Sequence, residues 1–235
     1  MRKDVKPDNP AGKQQVKAAA AVARRVKKGV AMTPVRISGR SIVDTFWGKA
    51  WCAHLESFSD YTNRLPRGRL YVRSGFVIHL AVSNGRVEAL VQGARLYKVR
   101  IGIDALEEDH WQKIVRSCSG GIGSVIELLQ GKLSAGVMRV MVDRHYGFFP
   151  EPKEIMFSCS CPDVAGMCKH VAAVLYGVGH RLDDEPELLF RLRGVNPRDL
   201  VGSAAFKLPA ARSGKAKELP PEDLTAVFGI DIVEP

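Results

Sequence analysis

No run of about twenty apolar residues occurs in this 235-residue chain, which excludes a membrane-spanning helix. The first residues are charged and lack the apolar core of a secretory signal, so a cytoplasmic protein is expected, nucleoid-associated if it meets DNA. Cysteine is scarce, with five in all. Without a secretory signal, a cysteine cluster points to metal or redox chemistry and away from a disulfide framework. No G-x-x-x-x-G-K-[ST] loop is present, because Gly131-Lys132 runs on into Leu133. The dinucleotide pattern G-x-G-x-x-G also fails, with Ile126 where the last glycine belongs. Carboxylates are not spaced as a two-metal pair. Glu107, Glu108 and Asp109 crowd one helix start, and Asp183, Asp184 and Glu185 lie at another.

Three of the five cysteines fall within ten residues. The text from position 159 reads Cys-Ser-Cys-Pro-Asp-Val-Ala-Gly-Met-Cys-Lys-His, so Cys159, Cys161, Cys168 and His170 follow a C-x-C-x6-C-x-H spacing. Three thiols and one imidazole complete a tetrahedral zinc set, and a closed four-ligand set is usually structural. Ile155-Met156-Phe157-Ser158 reads as a strand, and Pro162-Asp163 turns the chain. Val171, Val174, Leu175 and Val178 then repeat at helical spacing. Residues two apart on a strand share a side, which lets Cys159 and Cys161 share a metal from a β-turn. Residues two apart on a helix do not, so Cys168 belongs to the turn before the helix and His170 to its first turn. The competing reading is of small buried thiols beside a core histidine. Catalytic zinc normally keeps one position open. Four protein ligands leave no seat for water, which argues against a zinc hydrolase or a nuclease.

C-x-C-x(n)-C-x-H followed by an aliphatic helix resembles the SWIM zinc finger, found in Swi/Snf-type ATPases, Mutator-type transposases and partners of recombination and helicase systems. Phe157 to Asp163 and Cys168 to Tyr176 carry the likeness. Trp47-Gly48-Lys49-Ala50-Trp51-Cys52, Asn63 to Arg69, Val91-Gln92-Gly93-Ala94-Arg95 and Leu192-Arg193-Gly194-Val195 further resemble bacterial SWIM zinc-finger proteins. The resemblance covers roughly residues 40 to 200. It implies one structural Zn2+ and, as partner, a Swi/Snf-family helicase-like ATPase.

The formal net charge is +10, and it is unevenly spread. Residues 1–40 hold eleven Lys or Arg against two Asp, whereas the rest hold 24 basic and 23 acidic residues. Such a block is either a nucleic-acid arm, which displaces counterions from phosphate, or a solvated tail. Residues 1–12 should be disordered, and Lys13 to Lys28 should be helical by propensity, with Arg24, Arg25, Lys27 and Lys28 available to phosphate. Thr45 to Phe58 reads as a helix with Trp47, Trp51, Leu55 and Phe58 on its buried stripe. Cys52 and His54 face different ways on it and read as structural. Asn63 to Arg69 reads as a basic loop around Pro66 and Gly68. Three strands should follow, over Leu70–Ser83, Arg86–Gln92 and Arg95–Ile103, the first two joined by the hairpin turn Asn84-Gly85. Arg95, Lys98 and Arg100, with Arg67, Arg69 and Arg73, could line a basic groove for single strands, or simply solvate a sheet face. Asp104 to Cys118 and Ser124 to Gln130 read as helices, and Val137 to Asp143 as a short apolar segment. Asp184-Glu185-Pro186 should open a helix running to Arg193.

The expectation is an α+β fold: a small antiparallel sheet of about three strands plus the zinc-finger hairpin, packed with helices, holding a single structural zinc site. Four regions are expected: 1–40 a basic, partly disordered arm; 41–150 an α+β body; 151–202 the finger with its following helices; and 203–235 a flexible linker with a short docking segment. The expected function is a non-enzymatic, DNA-binding or protein-docking accessory factor. A pure interaction adaptor is the alternative. Metal ligands are Cys159, Cys161, Cys168 and His170. Nucleic-acid contacts are Arg24, Arg25, Lys27, Lys28, Arg67, Arg69, Arg95, Lys98 and Lys169.

Overall fold

Alanine-rich sequence gives the first helix, α1 (Pro10–Val26), in the computed structural model, which describes residues 10–58, 63–163 and 166–201. It stops where Gly29 takes φ +76° and the Val30 N–H returns to the Arg25 carbonyl, a Schellman ending. The helix is not a free arm: Ala18 is buried, and Gln14 donates its amide to the Gln92 carbonyl. The chain then runs extended beside the first strand, where Val35 N–H bonds the Val77 carbonyl and Leu80 N–H bonds the Thr33 carbonyl.

Helix α2 (Phe46–Glu56) starts at Thr45, whose hydroxyl accepts from Gly48 N–H. That cap is itself held from afar. The Asp183 carboxylate accepts the Asp44 and Thr45 N–H groups and the Thr45 hydroxyl. The aromatic stripe is core, with Trp47, Trp51, Leu55 and Phe58 all buried. Buried indoles need a partner for N–H: Trp47 donates to the Leu128 carbonyl and Trp51 to the Leu175 carbonyl.

The basic loop expected over Asn63–Arg69 is instead the start of α3 (Leu65–Arg73), and the first strand begins at Val77, not Leu70. Pro66 and Gly68 read as breakers. Pro66 occupies the first turn, where its missing N–H costs nothing. Gly68 is there for contact: a Cβ would strike the Ala172 side chain and come within 2.7 Å of the Ala172 carbonyl carbon. Tertiary packing thus overrides local propensity. Gly68→Ala should cost about 1–3 kcal/mol by overpacking, read as a lowered denaturant midpoint with unchanged zinc content, and Gly68→Val should cost more.

Strands β1 (Val77–Ser83), β2 (Arg86–Gln92) and β3 (Leu96–Ile103) follow, with Gly85 at φ +63° in the first hairpin. Helices α4 (Glu108–Cys118), α5 (Val125–Leu129) and α6 (Ala135–Val142) come next; the last is the short apolar segment, capped by Ser134. A single 3-10 turn (Pro152–Glu154) leads into β4 (Ile155–Cys159), then α7 (Lys169–Asp184) and α8 (Glu187–Arg193). The sheet is antiparallel throughout in the order β1-β2-β3-β4. The finger adds one strand, β4, beside β3, so finger and body share one sheet.

Val87, Ala89 and Val91 of β2 and Val99, Ile101 and Ile103 of β3 are buried, whereas Glu88, Lys98 and Arg100 alternate with them and are exposed. The buried face meets α7. Residues 170–179 of α7 are all buried, the signature of a helix surrounded on every side. It packs against α2, α3, α8 and all four strands. The expected linker and docking segment, 203–235, lies outside the described residues, as do residues 1–9. Among the described residues no helix is long and apolar enough to cross a membrane.

Candidate metal centre

β4 ends at Cys159, the turn carries Cys161, and Cys168 is the N-cap of α7 with extended backbone (φ −93°, ψ 166°). His170 sits in the first helical turn, as the spacing requires. The register is fixed by the neighbouring strand: Ser160 N–H donates to the Lys98 carbonyl at 3.0 Å, and Lys98 N–H donates to the Ser160 hydroxyl at 2.9 Å. One ligand atom from each of the four residues lies within 4.8 Å of the others. His170 Nδ1 is 3.9 Å from Cys159 Sγ and 3.8 Å from Cys168 Sγ. Bonds of about 2.3 Å to sulfur and 2.0 Å to nitrogen at tetrahedral angles separate ligand atoms by about 3.5–3.8 Å. The four side chains therefore fit one structural zinc, with His170 binding through Nδ1.

The electrostatics suit a cation. The Cys168 thiol is held well below its ordinary value, first by the hydrogen bond from Cys159 and further by those from His170 and the Val171 N–H, against the opposing effect of burial. Cys159, the donor in that pair, is pushed up, by that bond and by desolvation. Three thiols cannot all ionise together without a positive charge among them, and a bound divalent cation supplies it. The positive N-terminus of α7 adds to the same field. The other two cysteines do not compete. Burial pushes Cys52 up to about 12, helped by Glu56 and Asp183, and raises Cys118 to about 11.

Local sequence did not reveal the walls of this site. His170 is sandwiched between rings, with Tyr97 4.4 Å and Tyr71 5.4 Å away between centroids. Its Nε2 is buried with no hydrogen-bond partner among the described residues and faces the bare backbone of Gly93. A Cβ on Gly93 would lie 2.6 Å from the Tyr97 ring and 3.0 Å from that nitrogen. Aromatic walls and a glycine thus lock the imidazole with Nδ1 toward the thiols. Zinc-bound histidines usually gain such orientation from a hydrogen bond on the other nitrogen. In the sequence Val91 to Arg95 stood out as family-like text without a role, and Tyr71 and Tyr97 as rings near a basic groove for single strands, not as walls of a metal site.

Three of the nine expected nucleic-acid residues gather around the finger, and a fourth, Lys98, touches it through its backbone. Lys169 lies between two ligands, its Nζ 5.1 Å over the Tyr71 ring. Lys98 meets Ser160 through its backbone alone, while its side chain lies with Arg100 on the sheet face away from α7. Arg95 accepts the Gly93 N–H on its carbonyl, and Arg67 stands one helical turn before Tyr71. Arg64, not singled out from sequence, reaches Asp163 at 3.5 Å. Arg69 turns the other way, donating to Glu56 at 2.6 Å and to the Tyr176 hydroxyl at 3.1 Å. Arg100 pairs with Glu88 across the open sheet face. Arg24, Arg25, Lys27 and Lys28 are at the far end of α1 from Gln14, its contact near the finger end of β2. Ser160 and Asp163 are likewise engaged within the fold, Ser160 by Lys98 and Asp163 by Arg64.

A closed Cys3His set between a strand end and a helix N-terminus defines a structural zinc finger. Residues 156–178 match the family model of the SWIM zinc finger, and the chain carries that finger. Over 168 residues it is 37% identical to the uncharacterized protein Rv2102 of Mycobacterium tuberculosis (strain ATCC 25618 / H37Rv). That match takes in 70% of this chain and 60% of the relative, so the chain spans less than two thirds of that protein's length. No solved structure matches significantly.

Proposed function

We propose that this chain is a non-enzymatic accessory factor, its zinc a rivet, that binds DNA and docks a Swi/Snf-type helicase-like ATPase. One observation carries the reading: a closed zinc site rimmed by cations from three sides, Arg64 and Arg67 of the α3 end, Arg95 just before β3, and Lys169 of α7. Between Met156 and Ala173 the only acidic side chain is Asp163. Four protein ligands leave no open coordination position for an attacking water, which favours binding over hydrolysis. The ATPase partner rests on the family resemblance.

The test measures DNA affinity against salt for the full zinc-loaded chain and two charge variants. One carries Arg67→Gln with Arg95→Gln, and the other carries Gln at 24, 25, 27 and 28. Each lost phosphate contact should flatten the slope of log K against log salt by about 0.7–0.9. Slopes and affinities unchanged in both variants would defeat the DNA part. If the unaltered chain also fails to bind DNA but co-purifies with such an ATPase and changes its rate, the adaptor reading holds. The near balance of charge beyond residue 40 favours that second reading.

A further inference from the structure

Away from the finger, α4 and α6 frame a groove of about 540 Å³. Each helix offers it a face at helical spacing: His110, Lys113, Ile114 and Ser117 from α4, and Gly136, Arg139 and Val140 from α6 with its C-cap Asp143. The floor is apolar, from Ile114 and Val140. Gly136 keeps one wall low, since a Cβ there would meet nothing nearer than 3.8 Å. At the rim stands Tyr146, 77% exposed, the largest exposure of any aromatic described. Its backbone is pinned at both ends. Its N–H donates to Asp143 Oδ1 at 2.8 Å, and its carbonyl accepts from His110 Nε2 at 2.9 Å. The Asp143 carboxylate is occupied by that bond and by the His145 N–H, which hold it below the usual carboxylate range. Lys113 and Arg139 are exposed and enter no ion pair among the described residues.

An exposed ring on a backbone pinned at the mouth of an apolar trough matches a flat anionic ligand, with two cations beside it that form no ion pair among the described residues, Arg139 donating only to the Ala135 carbonyl of its own helix. We infer that this groove seats an unpaired base of single-stranded nucleic acid, the base stacked on Tyr146 and the flanking phosphates on Lys113 and Arg139. This rests on the nucleic-acid part of the proposed function and adds a second contact surface, built on elements other than those of the finger. Stacking makes the groove selective for unpaired strands, because bases within a duplex have no free face to offer.

The experiment uses the full zinc-loaded chain and a fluorescein-labelled fifteen-residue oligothymidylate, read by anisotropy, with a duplex of the same length as competitor. Tyr146→Ala should weaken binding about ten-fold or more while Tyr146→Phe stays near the unaltered chain. Lys113→Gln and Arg139→Gln should each flatten the salt slope by about 0.7. All three side chains project from the surface or its rim, so thermal melting should hold, which certifies the folded state of each of the four variants. Equal binding by the Ala and Phe variants, or duplex competing as well as single strand, would overturn the groove while leaving DNA binding through the finger intact. No binding of either probe by the unaltered chain would sink both readings together.

Discussion

Replacing Cys168 with Ala should drop the zinc-to-protein ratio from one to near zero and lower the melting temperature by about 10 °C or more. Apparent zinc binding energies of about 10–16 kcal/mol in small fingers rival the whole stability of an ordinary domain, about 5–15 kcal/mol. A loss of about 4 kcal/mol already corresponds to about 10 °C in a chain of this size. The loss should exceed that of a surface finger because the ligands join central elements. Cys168 caps the helix that touches all four strands, and Cys159 ends the strand paired to β3. Amide exchange should therefore accelerate first along β4 and the first two turns of α7. The aromatic cluster of Trp47, Phe148 and Phe190 should hold longer, since its rings, centroids 4.7–6.3 Å apart, pack without the metal. Cys52→Ala and Cys118→Ala are the controls. Both thiols stay protonated in the folded state and lie outside the cluster, so each variant should retain one zinc per chain. Retention of stoichiometric zinc by Cys168→Ala would refute the assignment.

What could be read from sequence was what is local. The ligand set spans twelve residues, and the alternation of strand, turn and helix within them fixes which atoms converge. The hairpin at Asn84-Gly85 and the stripe of α2 were equally legible, because period and turn chemistry decide them nearby. The α3 helix was not, since its proline and glycine serve a contact with Ala172 far along the chain. The same holds for other family-like segments. Gly48 lies where a Cβ would strike the Asp183 carboxylate and crowd the Gly179 carbonyl. A Cβ at Gly93 would strike the Tyr97 ring and crowd the His170 ring behind it. Three separate glycines thus make room for one helix, α7. A pattern of this kind exists only once the fold has brought its members together. Charge misled for a related reason. Arg69 counted as a free cation from sequence, yet Glu56 and Tyr176, from α2 and α7, claim it.

Arg193 is the case where burial could not be guessed, and its loss should produce the largest effect among residues that never touch the metal. A charged side chain is rarely fully buried unless paired; this one is 1% exposed. Its Nη1 donates to the Asp104 carbonyl at 2.6 Å and its Nη2 to Glu154 Oε1 at 3.0 Å, while its own carbonyl accepts the Leu106 N–H. The guanidinium thus ties the end of α8 to the exit of β3 and to the turn that launches β4. Glu154 is bound from the other side as well, its second oxygen accepting the Glu151 N–H. Arg193→Ala leaves a cavity, an unpaired carbonyl and a carboxylate without its cation. Removing one partner of a buried pair costs about 3–5 kcal/mol. Glu154 keeps 23% side-chain exposure and can recover some hydration, which places the expected loss near the lower end, at about 3 kcal/mol. Arg193→Lys should rescue little, because one ammonium cannot span both acceptors as the planar fork does. Zinc content should stay at one per chain in both variants, since the ligands are untouched. In a double-mutant cycle with Glu154→Gln, the coupling should account for about 1–3 kcal/mol of the loss. A cycle that closes to zero, with Arg193→Ala as stable as the unaltered chain, would show that the clamp between α8 and β4 contributes nothing.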